Sequence, residues 1–260
     1  MTSEPRHHVT VEPVGDFTVI TMNRPSKRNA LSLSHMQELM DAFEEAREAD
    51  TRGVVLAGNG PVFSAGHDFS EMAGQDYAYM QQLLETCTQL MLTIISMPQP
   101  VVARVHGLAT AAGAQLVATC DLAVASSNAG FAAPGGKGGW FCHTPMVAIG
   151  HAIGRKRAAE MALTGDTIDA ETALSWGLIN RVVEPDELEQ ATFDLLDRAS
   201  RGSRYSKALG KSTLYRQLDL PVVDAYSVAI AAMAGASQTH DAQEGMASFL
   251  EKRPPKWTHR

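Results

Sequence analysis

Val101-Val102-Ala103-Arg104-Val105-His106-Gly107-Leu108-Ala109-Thr110-Ala111-Ala112-Gly113-Ala114-Gln115 sets a short apolar run against a glycine-marked turn and a run of small residues. Val101 to Val105 predicts a strand, and the segment from about Thr110 to Thr119 predicts a helix. Leu122 to Ala125 predicts a further strand. Strands alternating with helices favour an α/β fold with a largely parallel sheet.

The same alternation runs outward. Phe17 to Met22 reads as a strand, followed by a polar loop from Asn23 to Asn29 that holds Pro25. Ser34 with Gln37 three residues on predicts a capping box, and Met36, Leu39, Met40 and Phe43 fall on one helical stripe. Gly53 to Ala57 reads as a buried strand ended by Gly58, Gly60 and Pro61. A long helical region from about Gly74 to Ser96 is stopped by Met97-Pro98-Gln99-Pro100. From Gly150 onward the pattern is almost entirely helical, with helices predicted near Arg157 to Leu163, Ala170 to Trp176, Glu187 to Ser200, Tyr205 to Leu218, Val222 to Ser237 and Gln243 to Glu251. Residues 1–200 are expected to form the α/β core and 201–260 a helical C-terminal region.

Bulk properties exclude several classes. A net charge of −7 argues against the basic face of a nucleic-acid-binding protein. Nothing approaches the roughly eighteen apolar residues of a membrane span. The three cysteines, Cys87, Cys120 and Cys142, lack metal-ligand spacing and read as free thiols, Cys87 and Cys120 as buried small hydrophobes, so no metal is expected. Met1 to Val11 has no apolar signal core and no transit-peptide character, which makes a cytoplasmic location the expectation.

Two glycine-marked turns follow strands. In Val62-Phe63-Ser64-Ala65-Gly66-His67-Asp68-Phe69, small residues let backbone approach a ligand, and Gly66 can take a positive φ. The second turn, His106 to Gln115, opens a helix whose free N–H groups and dipole favour an oxyanion. One N–H from each could flank a thioester oxygen as it becomes an enolate. Taken alone, neither turn is specific, because glycine after a strand is common in α/β proteins. There is no G-x-G-x-x-G after a strand and no Walker-type G-K-[ST] segment.

Longer motifs carry a resemblance. Asn23-Arg24-Pro25 through Asn29-Ala30-Leu31, Phe63 through Asp68, His106-Gly107 through Cys120-Asp121-Leu122-Ala123-Val124-Ala125, Leu163-Thr164-Gly165, Ala170 with Ala173, Trp176 through Val183, and Glu244-Gly245-Met246 with Phe249 through Arg253 occur in order and spacing. Together they resemble the crotonase (enoyl-CoA hydratase/isomerase) superfamily over nearly the whole chain. Gly66-His67-Asp68, Leu108 through Gly113 and Phe141-Cys142 point to one subgroup within it. The resemblance implies a spiral of ββα units with a helical C-terminal trimerisation part, and subunits in homotrimers or dimers of trimers. It carries over the backbone N–H groups of His67 and Ala112 as oxyanion donors. It also implies an acyl-CoA substrate lying near Lys27, Arg28, Ala65, Asp68 and Phe69, with Phe249 and Lys252 reaching the nucleotide end from a neighbouring subunit. Coenzyme A enters as part of the thioester, and no separate cofactor is implied.

The resemblance also implies two glutamates in a hydratase, and both slots depart from it. The first, three residues past the Ala112 donor, holds Gln115, and the second, after Pro134, holds Gly135. An amide can orient water but does not titrate, and losing one acid/base group typically costs about 10²- to 10⁴-fold in rate. Dienoyl-CoA isomerases carry a carboxylate eight residues beyond the second slot, which here is His143, a group able to shuttle a proton near neutral pH. Cys142 beside it is a candidate thiol nucleophile if its pKa is lowered, or a packing residue. Lys137, in Gly135-Gly136-Lys137-Gly138-Gly139, either tips toward an acyl group or stays a surface lysine. Trp140 and Phe141 read as pocket walls or trimer contacts. Asp68 and Glu71 read more naturally as helix-capping acids. The expected function is an acyl-CoA enzyme stabilising a thioester enolate, with standard hydration in doubt. The alternatives are a non-catalytic acyl-CoA-binding scaffold and an acyl-CoA hydrolase or decarboxylase.

Overall fold

The structure is a computed structural model and describes residues 7–260. Its strands are β1 (Val9–Val14), β2 (Phe17–Met22), β3 (Gly53–Gly58), β4 (Val101–Val105), β5 (Ala109–Thr110), β6 (Leu122–Ser126), β7 (Gly130–Ala132), β8 (Ile168–Asp169) and β9 (Arg181–Val183). Its helices are α1 (Leu33–Glu48), α2 (Phe69–Met72), α3 (Tyr77–Ile95), α4 (Ala112–Thr119), α5 (Pro145–Ile153), α6 (Arg155–Thr164), α7 (Ala170–Trp176), α8 (Leu188–Ser200), α9 (Arg204–Leu218), α10 (Val222–Ala236) and α11 (His240–Leu250).

The main sheet runs β1-β2-β3-β4-β6-β9. Only the β1–β2 hairpin is antiparallel, and every later pair is parallel. Central strands read as continuous apolar runs because helices cover both faces. Val54 and Leu56 of β3 face a core shared with α1, α3 and α4, while Val55 and Ala57 face the cluster holding Leu188 and Leu196 of α8. That two-residue alternation between layers is the strand period at work. A second sheet, β5-β7-β8, lies at the end of the first where α4 begins. The α/β spiral with its helical C-terminal part is therefore present.

Several predicted boundaries move. The α1 cap is Ser32, not Ser34: the Ser32 hydroxyl accepts the His35 N–H at 3.2 Å. The long helix expected from Gly74 starts at Tyr77, capped by Asp76, and is preceded by the separate turn α2. β1 and α5 were not expected, and neither were the short strands β5, β7, β8 and β9, because two- and three-residue strands have no measurable period. The motif residues Asn29, Asp121 and Asn180 act as fasteners. Asn29 donates to the carbonyls of Asn59, Val62 and Phe63. Asp121 accepts the Val101 N–H, Lys211 Nζ and Tyr215 hydroxyl at 2.7, 2.7 and 2.5 Å, tying α9 to the sheet. Asn180 accepts the Ala123 N–H at 2.8 Å.

Candidate active site

The two glycine turns meet. Leu31 bridges His67 in parallel register: its N–H bonds the Gly66 carbonyl at 2.8 Å and its carbonyl accepts the Asp68 N–H at 3.3 Å. In such a bridge the intervening residue directs its own N–H to the opposite side. Ser64 bridges Ala109, with the Thr110 N–H donated to the Ser64 carbonyl at 3.0 Å. Gly66, at φ +84, lies so close to the second turn that a Cβ there would be 3.3 Å from the Ala112 nitrogen. Ala111 takes φ +49 and ψ −118, a region costly for an L-residue, and so turns the chain sharply into α4. Ala112 is the first residue of that helix, where an N–H has no intrahelical acceptor. Among the described residues, neither the His67 nor the Ala112 N–H has a hydrogen-bond acceptor.

These turns floor a cavity of about 480 Å³, lined mostly by apolar surface and including Ala65, His67, Thr110 and Ala111 below. The loop from Pro134 to Pro145 roofs it, contributing Trp140, Phe141, Cys142 and His143, while Phe69 and Leu84 close the sides. His67 is buried, its Nδ1 is 3.4 Å from the Leu31 carbonyl, and burial pushes its pKa down, against the charged ring. Its Nε2 is buried without a partner among the described residues.

A model of the enoyl-CoA hydratase/isomerase family matches residues 15–260. The chain belongs to that family. It is similar to enoyl-CoA hydratase domain-containing protein 3 of Rattus norvegicus, 44% identical over 99% of this chain and 86% of the relative. The human protein of the same name has a crystal structure with a TM-score of 0.93 at 40% identity, covering 96% of this chain and all of that one. A crystal structure described as enoyl-CoA hydratase from Mycobacterium smegmatis reaches a TM-score of 0.93 at 42% identity, over 98% of this chain and 99% of that one. The subgroup to which Gly66-His67-Asp68 and Phe141-Cys142 pointed is thereby borne out. The vertebrate relatives are named mitochondrial, which overturns the cytoplasmic expectation. That expectation leaned on Met1 to Val11, of which residues 1–6 lie outside the described residues, and a domain's composition carries no address.

Gln115 and Gly135, where the resemblance implies glutamates, stand differently to this cavity. Gln115 is buried with its Oε1 at 3.8 Å from the Cys87 thiol of α3, and it is not among the cavity-lining residues. Gly135 lines the cavity, but a Cβ there would stand 2.2 Å from the Trp140 carbonyl oxygen and 2.7 Å from Cys142 Sγ. His143 does face the cavity, its ring tilted against Phe141 at 5.0 Å and its N–H bonded to the Phe141 carbonyl.

The other sequence candidates divide. Ala65 and the exposed Phe69 line the cavity. Arg28 and Lys27 are exposed beside it, the Arg28 carbonyl accepting the Ala65 N–H at 3.0 Å. Asp68 is spent elsewhere: it caps α2 through Ser70 and pairs with Arg24 at 3.0 Å. Burial opposes its ionisation, but the Ser70 bonds and the Arg24 guanidinium outweigh that and hold the carboxyl below the usual range. Glu71 lies in the first turn of α2. Phe249 and Lys252 stand on α11 and just past it, away from the cavity-lining residues of this subunit. Cys142 does not suit a thiolate nucleophile, because burial raises its pKa. Lys137 lines the cavity edge and is half-exposed there, its ammonium paired with Asp166. Thr110 and Leu84 were missed. Thr110 was hidden among small residues, and Leu84 is paired with the core residue Leu83 between Gln82 and Glu85, so nothing in the sequence says which leucine faces the cavity.

Proposed function

We propose that this cavity takes the acyl end of a CoA thioester and holds its carbonyl oxygen between the N–H groups of His67 and Ala112. The observation that carries this reading is the pair of acceptorless N–H groups on abutting turns, His67 on the floor of an apolar cavity and Ala112 directly after Ala111, which lines it. A proton leaving Cα puts negative charge on the thioester oxygen, where two fixed N–H dipoles at a helix start stabilise it. His143 is the titratable side chain on the roof suited to take that proton and return it, which supports isomerisation or a related enolate step. Standard hydration is disfavoured because Gln115 does not titrate and Gly135 leaves no space for a carboxylate.

Lys27 and Arg28 supply exposed positive charge at the mouth for the nucleotide end. Phe249 and Lys252 would serve a neighbouring subunit in a homotrimer or dimer of trimers. The exposed apolar side chains of α10 and α11, among them Tyr226, Met233, Phe249 and Leu250, support association there. A second reading, an acyl-CoA-binding scaffold without turnover, is favoured by the closed slot at Gly135.

Calorimetric binding of butanoyl-CoA and a crotonyl-CoA hydration assay on one preparation test both readings. Binding with hydration far below ordinary enoyl-CoA hydratases is expected. His143→Gln keeps hydrogen bonding but removes proton transfer, so any turnover should fall at least about tenfold while binding holds. An unchanged rate would leave the binding reading ahead.

A further inference from the structure

Among the described residues the cavity is lined by no carboxylate and by a single permanent charge, the ammonium of Lys137. That lysine is held in place along its length. Its N–H bonds the Pro134 carbonyl at 3.0 Å, which fixes its backbone at the base of the roof. A Cβ at Gly136 would stand 3.2 Å from the Ala162 carbonyl oxygen of α6, so this part of the loop lies against that helix. Gly165, which ends α6 at φ +63, makes room for the side chain: a Cβ there would be 3.1 Å from Lys137 Cδ and 3.2 Å from Cγ. The ammonium then meets Asp166, which does not line the cavity. The side chains of Lys137 and Asp166 are 57% and 71% exposed, so solvent screens the pair and leaves it weak. An ammonium carries three N–H donors, and Asp166 is its one side-chain partner among the described residues.

We propose that Lys137 receives a carboxylate carried at the distal end of the acyl group, so that the cavity prefers thioesters of dicarboxylic acids to uncharged ones of the same length. This rests on the thioester reading above and assigns it a substrate class. Charge names the occupant. A carboxylate that enters an apolar cavity loses hydration and binds poorly unless a cation with free donors meets it. Lys137 is that cation, and the cavity lining holds no acid to repel the newcomer. Its place at the edge, half in water, spares both charges most of the desolvation that a buried ion pair costs. Asp166 limits the gain, because it already neutralises part of the ammonium's field.

The test is calorimetry on the full chain with two pairs of thioesters matched in carbon number, glutaryl-CoA with pentanoyl-CoA and adipoyl-CoA with hexanoyl-CoA. In at least one pair the parent protein should bind the charged member at least about fivefold tighter. Lys137→Met keeps an unbranched side chain and removes the charge. It should reverse that order, because the carboxylate is then unpaired in an apolar space. Asp166→Asn frees the ammonium and should widen the parent's preference by about twofold. Equal affinities in both pairs, an uncharged member preferred by the parent in both, or a charged preference that survives Lys137→Met would overturn the assignment while leaving thioester binding intact. A narrower preference in Asp166→Asn would count against it in the same way. A loss in Lys137→Met that falls equally on both members of a pair would overturn it too, placing at the lysine a phosphate of CoA, which both members share. Failure of all four thioesters to bind would strike the earlier reading instead.

Discussion

Floor and roof of the cavity are both rich in glycine, yet a Cβ at Gly113 would stand 2.4 Å from the Ser64 carbonyl oxygen, and one at Gly139 would meet nothing within 4 Å. The floor is over-determined. Gly66, Ala111 at φ +49 and Gly113 are locked by two parallel bridges and by β7, whose Ala132 carbonyl accepts the Ala111 N–H at 2.9 Å. The roof is tight at its base, where a Cβ at Gly135 would meet Trp140 and Cys142, and open around its tip, where a Cβ at Gly138 or Gly139 would find room. Under the proposed function this contrast suits the floor, because donors fixed by packing meet a developing charge without reorganisation.

The largest expected effect comes from placing a glutamate at the roof's base. Gly135→Glu, alone or with Gln115→Glu, should cost more than about 3 kcal/mol and should not confer crotonyl-CoA hydration, because the new Cβ meets backbone at 2.2 Å. A well-folded, hydrating double variant would show that the base of the roof is as yielding as its tip. On the floor, Gly113→Ala should cost about 2–3 kcal/mol, lowering the melting temperature by about 2–4 °C per kcal/mol and reducing turnover with it. A melting temperature matching the parent's would break the claim that the floor is over-determined.

Acid should loosen the segment that the floor is paired with. His35 is buried on α1, its Nδ1 3.0 Å from the carbonyl of Ala30, which precedes Leu31, and burial lowers its pKa from 6.5 to about 4. The unfolded chain therefore binds more protons between those values. The stability contribution is whole above about pH 6.5 and is lost as pH falls toward 4. Unfolding by urea should show a loss of about 2 kcal/mol by pH 5, and His35→Asn, which has no ring to charge, should flatten that slope. A slope unchanged in the variant would assign acid sensitivity to other groups. The smallest effect is expected at the tip: Gly138→Ala meets only the Gly135 oxygen at 3.6 Å and should change stability by less than about 0.5 kcal/mol.

Much of this was legible in local order. β2 and β4 and helix α7 stand at their predicted residues, and the apolar stripe of α1 buries Met36, Leu39 and Phe43 as its period requires. The His67 and Ala112 turns were legible only as glycine after a strand, a signal too common to name a site without the longer motifs around it. Cys142 and Lys137 each kept two readings in the sequence, because a thiol's burial and a lysine's partner lie outside its sequence neighbours. Asp68 served two readings until Arg24 and Ser70 claimed it.

By itself the sequence determined the alternation of strands and helices, the family, and the absence of carboxylates at positions 115 and 135, since each depends on residue identity and spacing along one chain. Only the tertiary structure decided that Gly66 abuts Ala112, that Gln115 turns to Cys87 instead of the cavity, and that Gly135 has no room for any side chain. These are contacts between segments tens of residues apart, and they are set by packing in the folded core, where a displacement of about an ångström separates contact from clash.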